Sequence, residues 1–496
     1  MHGKITVLAA LAVAWGAFAA DAAWEAKRQA IDNTHSVTPE SLGISSRAVS
    51  RWVEKMDKIG GIHSFVLLRH GKTVAEGWWN PYRPTDRHML YSLSKSFTST
   101  AIGMVADEGK LDLDERVADI FADCLPASPD PNLRSMRVRD LLCMTTGHAE
   151  DSSKSFGAEA KAIWTRDFLS CPVPVEPGRK FLYDSGASYM LSAIVHRRTG
   201  QRPSEYLQSR LFAPLGIACA QWNRSPEGED LGGWGLNLTT RDIAKFGQFW
   251  LQKGEWDGKR LLSRDYVEQA SSVQTRNREE AHHSEGEDWR LGYGFQFWMC
   301  QHGCYRAAGA YGQLAIVMPD KDAVLAVTSK ASMQKTMECL WEFLPEMQDK
   351  SLPEDSRGVR ELAALTGSLT LPVVKGEASG ASLPAVCSDA AGGSVALAQC
   401  SDGWMLSVTN AAWIASIPVG YGKWKRSEAM CSQKTEMDFR LPGRQQVAAS
   451  GAWTSPDTFT ARLWFVETPH DALITLRFKD GRMTPKVVST ARNIAF

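Results

Sequence analysis

The chain has 496 residues, more than one ordinary domain usually contains, so two folded parts are the first expectation. Hydrophobic residues make up 44% and charged residues 23% of it, a composition typical of a globular protein with a large core. Basic and acidic side chains balance to a formal charge of zero, which argues against a nucleic-acid partner and against attraction to anionic membranes.

Residues 1–23 are predicted to be a bacterial-type signal peptide. Lys4 supplies a short basic region, Ile5–Ala20 form an apolar run, and a small-residue cleavage site follows. The run is shorter than the ~20 residues that a spanning helix needs, so a cleaved signal is favoured over a membrane anchor. We therefore expect a periplasmic or secreted protein with no stable membrane span after cleavage.

The next part of the chain predicts a helix, a hairpin and a second helix. Ser45 or Ser46 caps an amphipathic helix, and two β-rich runs then turn at His70–Lys72. The segment YSLSKSF opens a helix that runs to about Glu108, where Gly109 is a natural stop.

The middle of the chain is predicted to be largely helical. Residues 111–270 alternate short helices with loops rich in proline and glycine, and GEWDGKRLL predicts a polar turn between two of the helices. Residues 276–288 predict an exposed loop, whose His282-His283 pair could bind a metal but is better explained as solvated. A second hairpin around Pro319–Asp322 and a closing helix in SMQKTMECLWEFLPEM complete this part.

The composition changes around residues 350–360, where DKSLPEDSRGVRE predicts a linker. Short alternating strands and turn signals follow, which indicate a β-sandwich or a small barrel. The predicted domains are an α+β body over residues 24–350 and a β-rich C-terminal domain over residues 351–496.

All ten cysteines lie beyond the predicted signal, and an oxidising compartment makes disulfides plausible. Two pairs are near enough in sequence to bond, although spacing alone assigns no partners. Zinc is the rival interpretation of the CQHGC segment, which lacks a second ligand pair at metal-site spacing. We expect no metal and no organic cofactor. The cysteine pairs are Cys300 with Cys304 and Cys387 with Cys400.

The segment YSLSKSF places Ser92 three residues before Lys95 at the start of a predicted helix. Side chains at this spacing face the same way, so the amine can lie beside the hydroxyl and remove its proton. A lysine pKa of about 10.4 must fall before the amine can act as a base at pH 7, and burial among apolar neighbours can lower it. A plain helix cap is the alternative.

The spacing alone is weak evidence, because the chain repeats it at Ser332 and Lys335. That copy lies within the closing helical segment, where an exposed polar face explains it. His88, four residues before Ser92, is expected to pack rather than to act as a base, and the histidines form no convincing Ser-His-acid arrangement.

Five segments in order resemble the serine β-lactamases and penicillin-binding-protein-like hydrolases, over roughly residues 40–345. The closest subgroups by motif are the class C β-lactamase-like esterases and the 6-aminohexanoate-oligomer hydrolases. The resemblance implies a β-lactamase/transpeptidase-like α+β fold, in which helices flank an antiparallel sheet beside a helical region, here followed by a C-terminal all-β accessory domain. The segments begin LYSLSKSF, RVRDLLCMTTGH, EPGRKFLYDSGASY, GLNLTTRDIAKF and AAGAYGQLAIVM.

The resemblance also places the family motifs, with two departures from the usual residues. Ser185 replaces the asparagine that holds the substrate amide in β-lactamases, and Ala307 replaces the cation that attracts the β-lactam carboxylate. Both departures argue against β-lactamase or D-Ala-D-Ala carboxypeptidase activity. Both fit the esterase and aminohexanoate-hydrolase subgroups, in which the motifs Y-x-S-G and G-x-x-G-Q occur. The motifs fall on Ser92 and Lys95, on Tyr183-Asp184-Ser185, on Ala307-Ala308-Gly309, and on Gly309, Gly312 and Gln313.

Acyl transfer is the mechanism that the resemblance implies. Ser92 attacks a carbonyl, while Lys95 and Tyr183 share the proton transfers as base and acid. The backbone N–H groups of Ser92 and Ala310 form an oxyanion hole. The residues expected around the oxyanion and the substrate are Ala310, Gly309, Ser185 and Gln313.

The leading hypothesis is an exported serine hydrolase that cleaves an ester, amide or small peptide bond in a small molecule or short peptide. One alternative is a β-lactamase or a D-Ala-D-Ala carboxypeptidase-like penicillin-binding protein. Another is a non-catalytic binding protein on a degenerate hydrolase body, which the altered motifs suggest. The sequence leaves the substrate and the oligomeric state open.

Overall fold

A computed structural model provides the structure of the chain. The predicted signal peptide and the His282-His283 pair lie outside the residues that it describes. Within the described ranges, no helix combines the length and the apolar character needed to cross a membrane. The structure describes residues 37–218, 220–278, 287–380, 385–388, 393–409, 413–431 and 443–489.

Helices flank the first sheet and fill the long connection between its two hairpins. Their bounds are α1 (Ser46–Ile59), α2 (Ser94–Asp107), α3 (Val117–Ile120), α4 (Pro131–Ser135), α5 (Val138–Leu142), α6 (Trp164–Ser170), α7 (Ser185–Thr199), α8 (Pro203–Leu207), α9 (Thr240–Leu251), α10 (Arg264–Ala270), α11 (Met333–Phe343) and α12 (Ser356–Gly367).

The strands form a six-stranded sheet, a nine-stranded sheet and two small sheets. Their bounds are β1 (Ile62–Arg69), β2 (Lys72–Trp78), β3 (His88–Met89), β4 (Gln221–Trp222), β5 (Leu236–Leu238), β6 (Glu255–Trp256), β7 (Lys259–Arg260), β8 (Trp298–Met299), β9 (Tyr305–Gly309), β10 (Gln313–Met318), β11 (Ala323–Ser329), β12 (Ala385–Ser388), β13 (Ser394–Cys400), β14 (Gly403–Thr409), β15 (Trp413–Val419), β16 (Lys425–Cys431), β17 (Gly443–Ser455), β18 (Thr458–Phe465), β19 (Asp471–Lys479) and β20 (Arg482–Ser489).

The six-stranded sheet joins the two predicted hairpins in the order β2-β1-β11-β10-β9-β8. β1 pairs antiparallel with β11, and both strands are buried along their whole length. On one face Trp52 of α1 packs edge-on against Phe65, with 5.1 Å between ring centres. On the other face the Ser64 and Thr240 hydroxyls lie 2.6 Å apart, where α9 covers the sheet. The predicted α+β fold is confirmed.

Most local predictions in this part are confirmed. The two hairpins, α1 and the helix ending before Glu108 occur where they are predicted. GEWDGKRLL is more than a turn, because β6 and β7 pair within it. At the two ends of the predicted exposed loop 276–288, Arg276, Arg278 and Glu287 are exposed as predicted, whereas Asn277 and Asp288 are buried.

The C-terminal strands form one up-and-down sheet, with β12 to β20 hydrogen-bonded in chain order. The first and last of these strands lie close together, as in a barrel. Of the two predicted forms, a two-sheet sandwich is therefore wrong for the described strands. Alternating apolar side chains such as Trp404 and Leu406 point into a separate core.

The predicted linker overlaps a packed helix. α12 lies against α1, where Leu362 is buried and Arg47 forms a 2.8 Å ion pair with Asp355. The domain boundary after residue 350 stays a prediction, and this packing favours a position further along the chain.

Candidate active site

Ser92 lies in a short turn, Tyr91–Leu93, between β3 and α2. Tyr91 has a φ of 50°, which places a bulky residue in the left-handed region where such residues are rare. Ser92 is partly exposed, whereas Leu93 and the first turn of α2 are buried. The turn therefore presents the Ser92 hydroxyl at the start of a rigid, buried helix.

Lys95 is almost completely buried and contacts Ser92 as the spacing predicts. Its Nζ donates to the carbonyl oxygen of Gly233 at 2.7 Å. The same nitrogen lies 3.3 Å from Ser185 Oγ and 3.4 Å from Ser92 Oγ. Such long contacts between a base and a nucleophile are common in ligand-free sites.

Burial lowers the pKa of Lys95 from its ordinary value to about 8, against the opposing charges of Asp151 and Asp184. A charged amine loses its hydration when it is buried, so the neutral form is favoured. With this pKa, about a tenth of the lysines carry a neutral amine at pH 7. Lys95 can therefore accept a proton near neutral pH.

Tyr183 lies beside the same two residues. Its ring centre is 5.0 Å from Lys95 Nζ, and it stacks on Trp298 at 5.5 Å. Burial raises the pKa of Tyr183 above its ordinary value, and the hydrogen bond with Ser92 only partly opposes this rise. Tyr183 is therefore a neutral phenol that can donate a proton, which leaves Lys95 as the better base.

Asp184 caps α7 and ties it to the loop before α6. Its Oδ1 accepts from Gly186 N at 2.9 Å and from Ser152 Oγ at 2.7 Å, while Oδ2 lies 2.9 Å from His148 Nδ1. Burial acts to raise the pKa of Asp184, but the hydrogen bond and charge of His148 outweigh it and the pKa is lowered. The carboxylate thus stays ionised.

Asp151 supports the other side of the Tyr183 motif. Its Oδ1 accepts from the backbone N–H groups of Ser153 and Ser185, each at 3.0 Å. Burial and the nearby charge of Asp184 raise the pKa of Asp151. Asp151 therefore positions Ser185, whose hydroxyl group lies beside the Lys95 amine.

Gly309, at the end of β9, lies directly against the turn that carries the candidate nucleophile. A Cβ at this position would lie 2.0 Å from the carbonyl oxygen of Leu90 and 3.1 Å from Leu93 N. Only glycine allows the strand to approach so closely. Ala307 and Ala308 on the same strand are buried.

Gln313 holds the turn after Gly309. Its Nε2 donates to the carbonyl oxygens of Ala310 at 3.0 Å and Ser329 at 2.8 Å, and its Oε1 accepts from Ser329 N. Its side chain is buried. These contacts favour a role in shaping the turn over the predicted place beside the substrate.

The sequence pattern that defines the β-lactamase family matches residues 49–337, which is more than half of the chain. The chain belongs to the β-lactamase family. It is therefore a serine hydrolase by family, and the predicted resemblance is confirmed.

The proteins to which this chain is similar are named for several different activities. A 6-aminohexanoate-dimer hydrolase of Paenarthrobacter ureafaciens is 27% identical over 54% of this chain and 72% of its own length. Penicillin-binding protein 4 of Amycolatopsis lactamdurans is 32% identical over 25% of this chain and 33% of its own length. The solved structure of EstCE1, a hydrolase with promiscuous acyltransferase activity, is 15% identical with a TM-score of 0.50, and the match covers 60% of this chain and all (100%) of that one. This last likeness shows the fold alone.

Several residues of this β-lactamase-family site carry no clear signal in the sequence. Asp184 could be identified as a helix cap inside the tyrosine motif. Asp151 and His148 lie in an irregular loop, and Gly233 contributes only a backbone oxygen. Their roles follow from contacts between distant parts of the chain.

The contacts of Ser332 and His88 bear on the roles that the sequence suggested for these two residues. Ser332 is the N-cap of α11 rather than a residue of its exposed face, and its Oγ accepts from Lys335 N at 3.4 Å. His88 is buried, with its ring nitrogens against His63 Nδ1 and the Met89 carbonyl oxygen. The packing role predicted for His88 fits this position.

The eight cysteines whose side chains the structure describes are thiols, and they include both predicted pairs. Cys300 Sγ accepts from Arg306 Nη1 at 3.0 Å, and Cys387 lies opposite Val395 rather than Cys400. Within the described part of the chain, no three His, Cys, Asp or Glu side chains are grouped to hold a metal ion.

Replacing Asp184 with alanine is expected to lower the free energy of unfolding by about 3 kcal/mol. Loss of a cap costs ~1 kcal/mol, and each buried donor left without an acceptor costs ~1–3 kcal/mol. Urea unfolding measures the change. Asp130→Ala is the matched control, because Asp130 caps the short α4 through one bond, to Asn132 N at 2.8 Å. Equal losses in the two variants would contradict the role of the Asp184 network.

Proposed function

We propose that this protein is an exported serine hydrolase that cleaves an ester, amide or small peptide bond through an acyl-enzyme on Ser92. The observation that carries the proposal is the contact of Ser92 with a buried lysine, at 3.4 Å, whose pKa is lowered to about 8. The signal-like N-terminus supports export. Intact Ser92, Lys95 and Tyr183 argue against a purely binding role.

The proposed reaction begins when neutral Lys95 takes the proton of Ser92 as its oxygen attacks the carbonyl carbon. Tyr183, a phenol beside both groups, gives its proton to the leaving group and takes in its place the proton held by Lys95, so both groups return to their neutral forms. The N–H groups of Ser92 and Ala310 stabilise the oxyanion, and each donor contributes ~10²–10³-fold. Water then attacks the acyl-enzyme by the same proton path in reverse and frees Ser92.

The substrate is proposed to be a small molecule or short peptide whose recognition needs no cation on β9. Ala307 is buried and uncharged where a β-lactamase presents a cation to the substrate carboxylate. Similarity to a 6-aminohexanoate-dimer hydrolase makes a linear amide a reasonable candidate. Esters are the other candidates, because they acylate serine more easily than amides.

Covalent labelling tests the proposal directly. A fluorophosphonate probe is expected to modify the intact protein once, and tandem mass spectrometry is expected to locate the adduct on Ser92. p-Nitrophenyl acetate and the 6-aminohexanoate dimer should be hydrolysed faster than nitrocefin. Rapid nitrocefin turnover, or stable trapping of a fluorescent penicillin on Ser92, would instead favour the penicillin-binding alternative.

Replacing Gly309 with alanine is expected to reduce kcat/KM by about 10²-fold, comparable to the loss of one oxyanion donor. The new Cβ would meet the Leu90 carbonyl oxygen at 2.0 Å and push β9 away from the turn of Ser92. Hydrolysis of p-nitrophenyl acetate measures the effect. Gly367→Ala is the control, because a Cβ there meets nothing within 4 Å. Wild-type activity in the Gly309 variant would contradict this close approach.

A further inference from the structure

A turn of the C-terminal sheet lies against the residues that lead into the nucleophile. We call residues 466–471, which connect β18 to β19 and include the first residue of β19, the docking turn. The carbonyl oxygen of Glu467 accepts from Met89 N at 2.9 Å, and that of Thr468 accepts from Tyr82 Oη at 3.1 Å. Asp471 forms a 2.5 Å ion pair with Lys330, just after β11. The docking turn is thus bound on two sides.

His470 of the docking turn contacts two tyrosines of the candidate active site. Its Nε2 and Tyr91 Oη form a 2.6 Å hydrogen bond. Its ring meets that of Tyr311 edge-on, with 5.2 Å between centres, and the two tyrosine rings are 5.3 Å apart. His470 and Tyr91 are buried, whereas Tyr311 is 42% exposed. The three rings form one cluster.

The two tyrosines flank the candidate oxyanion donors. Tyr91 immediately precedes Ser92, and Tyr311 immediately follows Ala310. Both tyrosines have left-handed backbones, with φ of 50° and 65°. Such a conformation is costly for a bulky residue and persists only when its surroundings hold it. The peptide between Tyr91 and Ser92 carries one donor N–H, so its direction depends on the conformation of Tyr91.

We propose that His470 is a positioning residue for the oxyanion hole, and that the C-terminal sheet therefore completes the active site. His470 holds Tyr91 through its hydrogen bond and Tyr311 through ring packing, and so orients the turns that carry the Ser92 and Ala310 N–H groups. It touches neither the substrate nor the reacting atoms. This inference rests on the proposed function of Ser92.

Four variants test the inference with p-nitrophenyl acetate as substrate. His470→Phe keeps a ring but loses the hydrogen bond, and Tyr91→Phe removes only the hydroxyl. His470→Gln places an amide within reach of Tyr91 Oη and is the conservative rescue. Arg426→Met is the matched control, because it breaks another contact of the same sheet, the bonds with Asp86 at 2.7 and 2.8 Å and with the Pro81 carbonyl oxygen at 2.9 Å, which involve neither Tyr91 nor Tyr311.

His470→Phe is expected to lower kcat by ~10–100-fold while KM stays within ~2-fold, because an oxyanion donor acts mainly in the transition state. Tyr91→Phe should likewise lower kcat with little change in KM. The double variant should lose little more kcat than either single variant. His470→Gln should recover most of kcat. Arg426→Met should lower the melting temperature yet keep kcat near that of the wild type.

The inference is overturned if His470→Phe loses no more kcat than Arg426→Met at equal folded fraction. Should His470→Phe fail to fold, Tyr91→Phe decides in the same way. Failure of the proposed function has a different signature, since Ser92→Ala would then still react with the fluorophosphonate probe. An inert Ser92→Ala together with a fully active His470→Phe would overturn the positioning role alone.

Discussion

Replacing Ser92 with alanine is expected to abolish ester hydrolysis, with a loss of at least ~10⁴-fold in kcat, as for other enzymes that lose their nucleophile. In the proposed mechanism the hydroxyl oxygen forms the acyl-enzyme, and alanine has no atom that can take its place. Ser92 is only partly buried and its oxygen makes long contacts, so the variant should fold normally. The release of p-nitrophenol and fluorophosphonate labelling measure the loss.

Ser332→Ala is the matched control for this variant. Ser332 has the same spacing to a lysine but caps α11, so its loss should cost ~1 kcal/mol of stability and no activity. If Ser92→Ala were labelled as strongly as the wild type, the nucleophile would have to lie elsewhere. Wild-type turnover by Ser92→Ala would lead to the same conclusion.

The second large effect concerns the pH dependence of hydrolysis. We expect kcat/KM to rise with pH and to level off above about pH 8. In the proposed mechanism Lys95 must be neutral to accept the Ser92 proton, and burial lowers its pKa to about 8. Below this value the neutral fraction falls ~10-fold for each pH unit, so kcat/KM should fall with it. The pKa of Tyr183 is raised by burial, so this group does not account for the rise. A pH profile of kcat/KM measures the effect.

Two variants assign the pH dependence to Lys95. Lys95→Gln should lose ~10²–10⁴-fold in rate, the usual contribution of a general base, together with the rise near pH 8. Asp151→Asn should move the rise to lower pH, because the charge of Asp151 raises the pKa of Lys95. A rise near pH 8 that persists in Lys95→Gln would show that another group is the base.

The parts of the fold that sequence alone could predict are those set by near neighbours. The apolar spacing of α1 and the turn residues of the two hairpins act over a few positions, so their elements occur where expected. The contact of Ser92 with Lys95 belongs to the same class, because a spacing of three residues across a helical turn lets two side chains face the same way. The other family motifs, which follow in the expected order along the chain, then distinguish the Ser92–Lys95 pair from the pair with the same spacing at Ser332.

Local patterns and ordered motifs were therefore enough to predict these elements, the family resemblance and the candidate nucleophile with its candidate base. Three other features could be learned only from the folded chain: the pairing of β1 with β11, the hydrogen bond from Lys95 to the Gly233 carbonyl oxygen, and the contacts of Gln313 with its turn. It also placed the docking turn against the residues next to Ser92. These contacts join residues far apart in the chain and use backbone atoms and burial, which depend on the packing of the whole molecule and leave no periodic pattern.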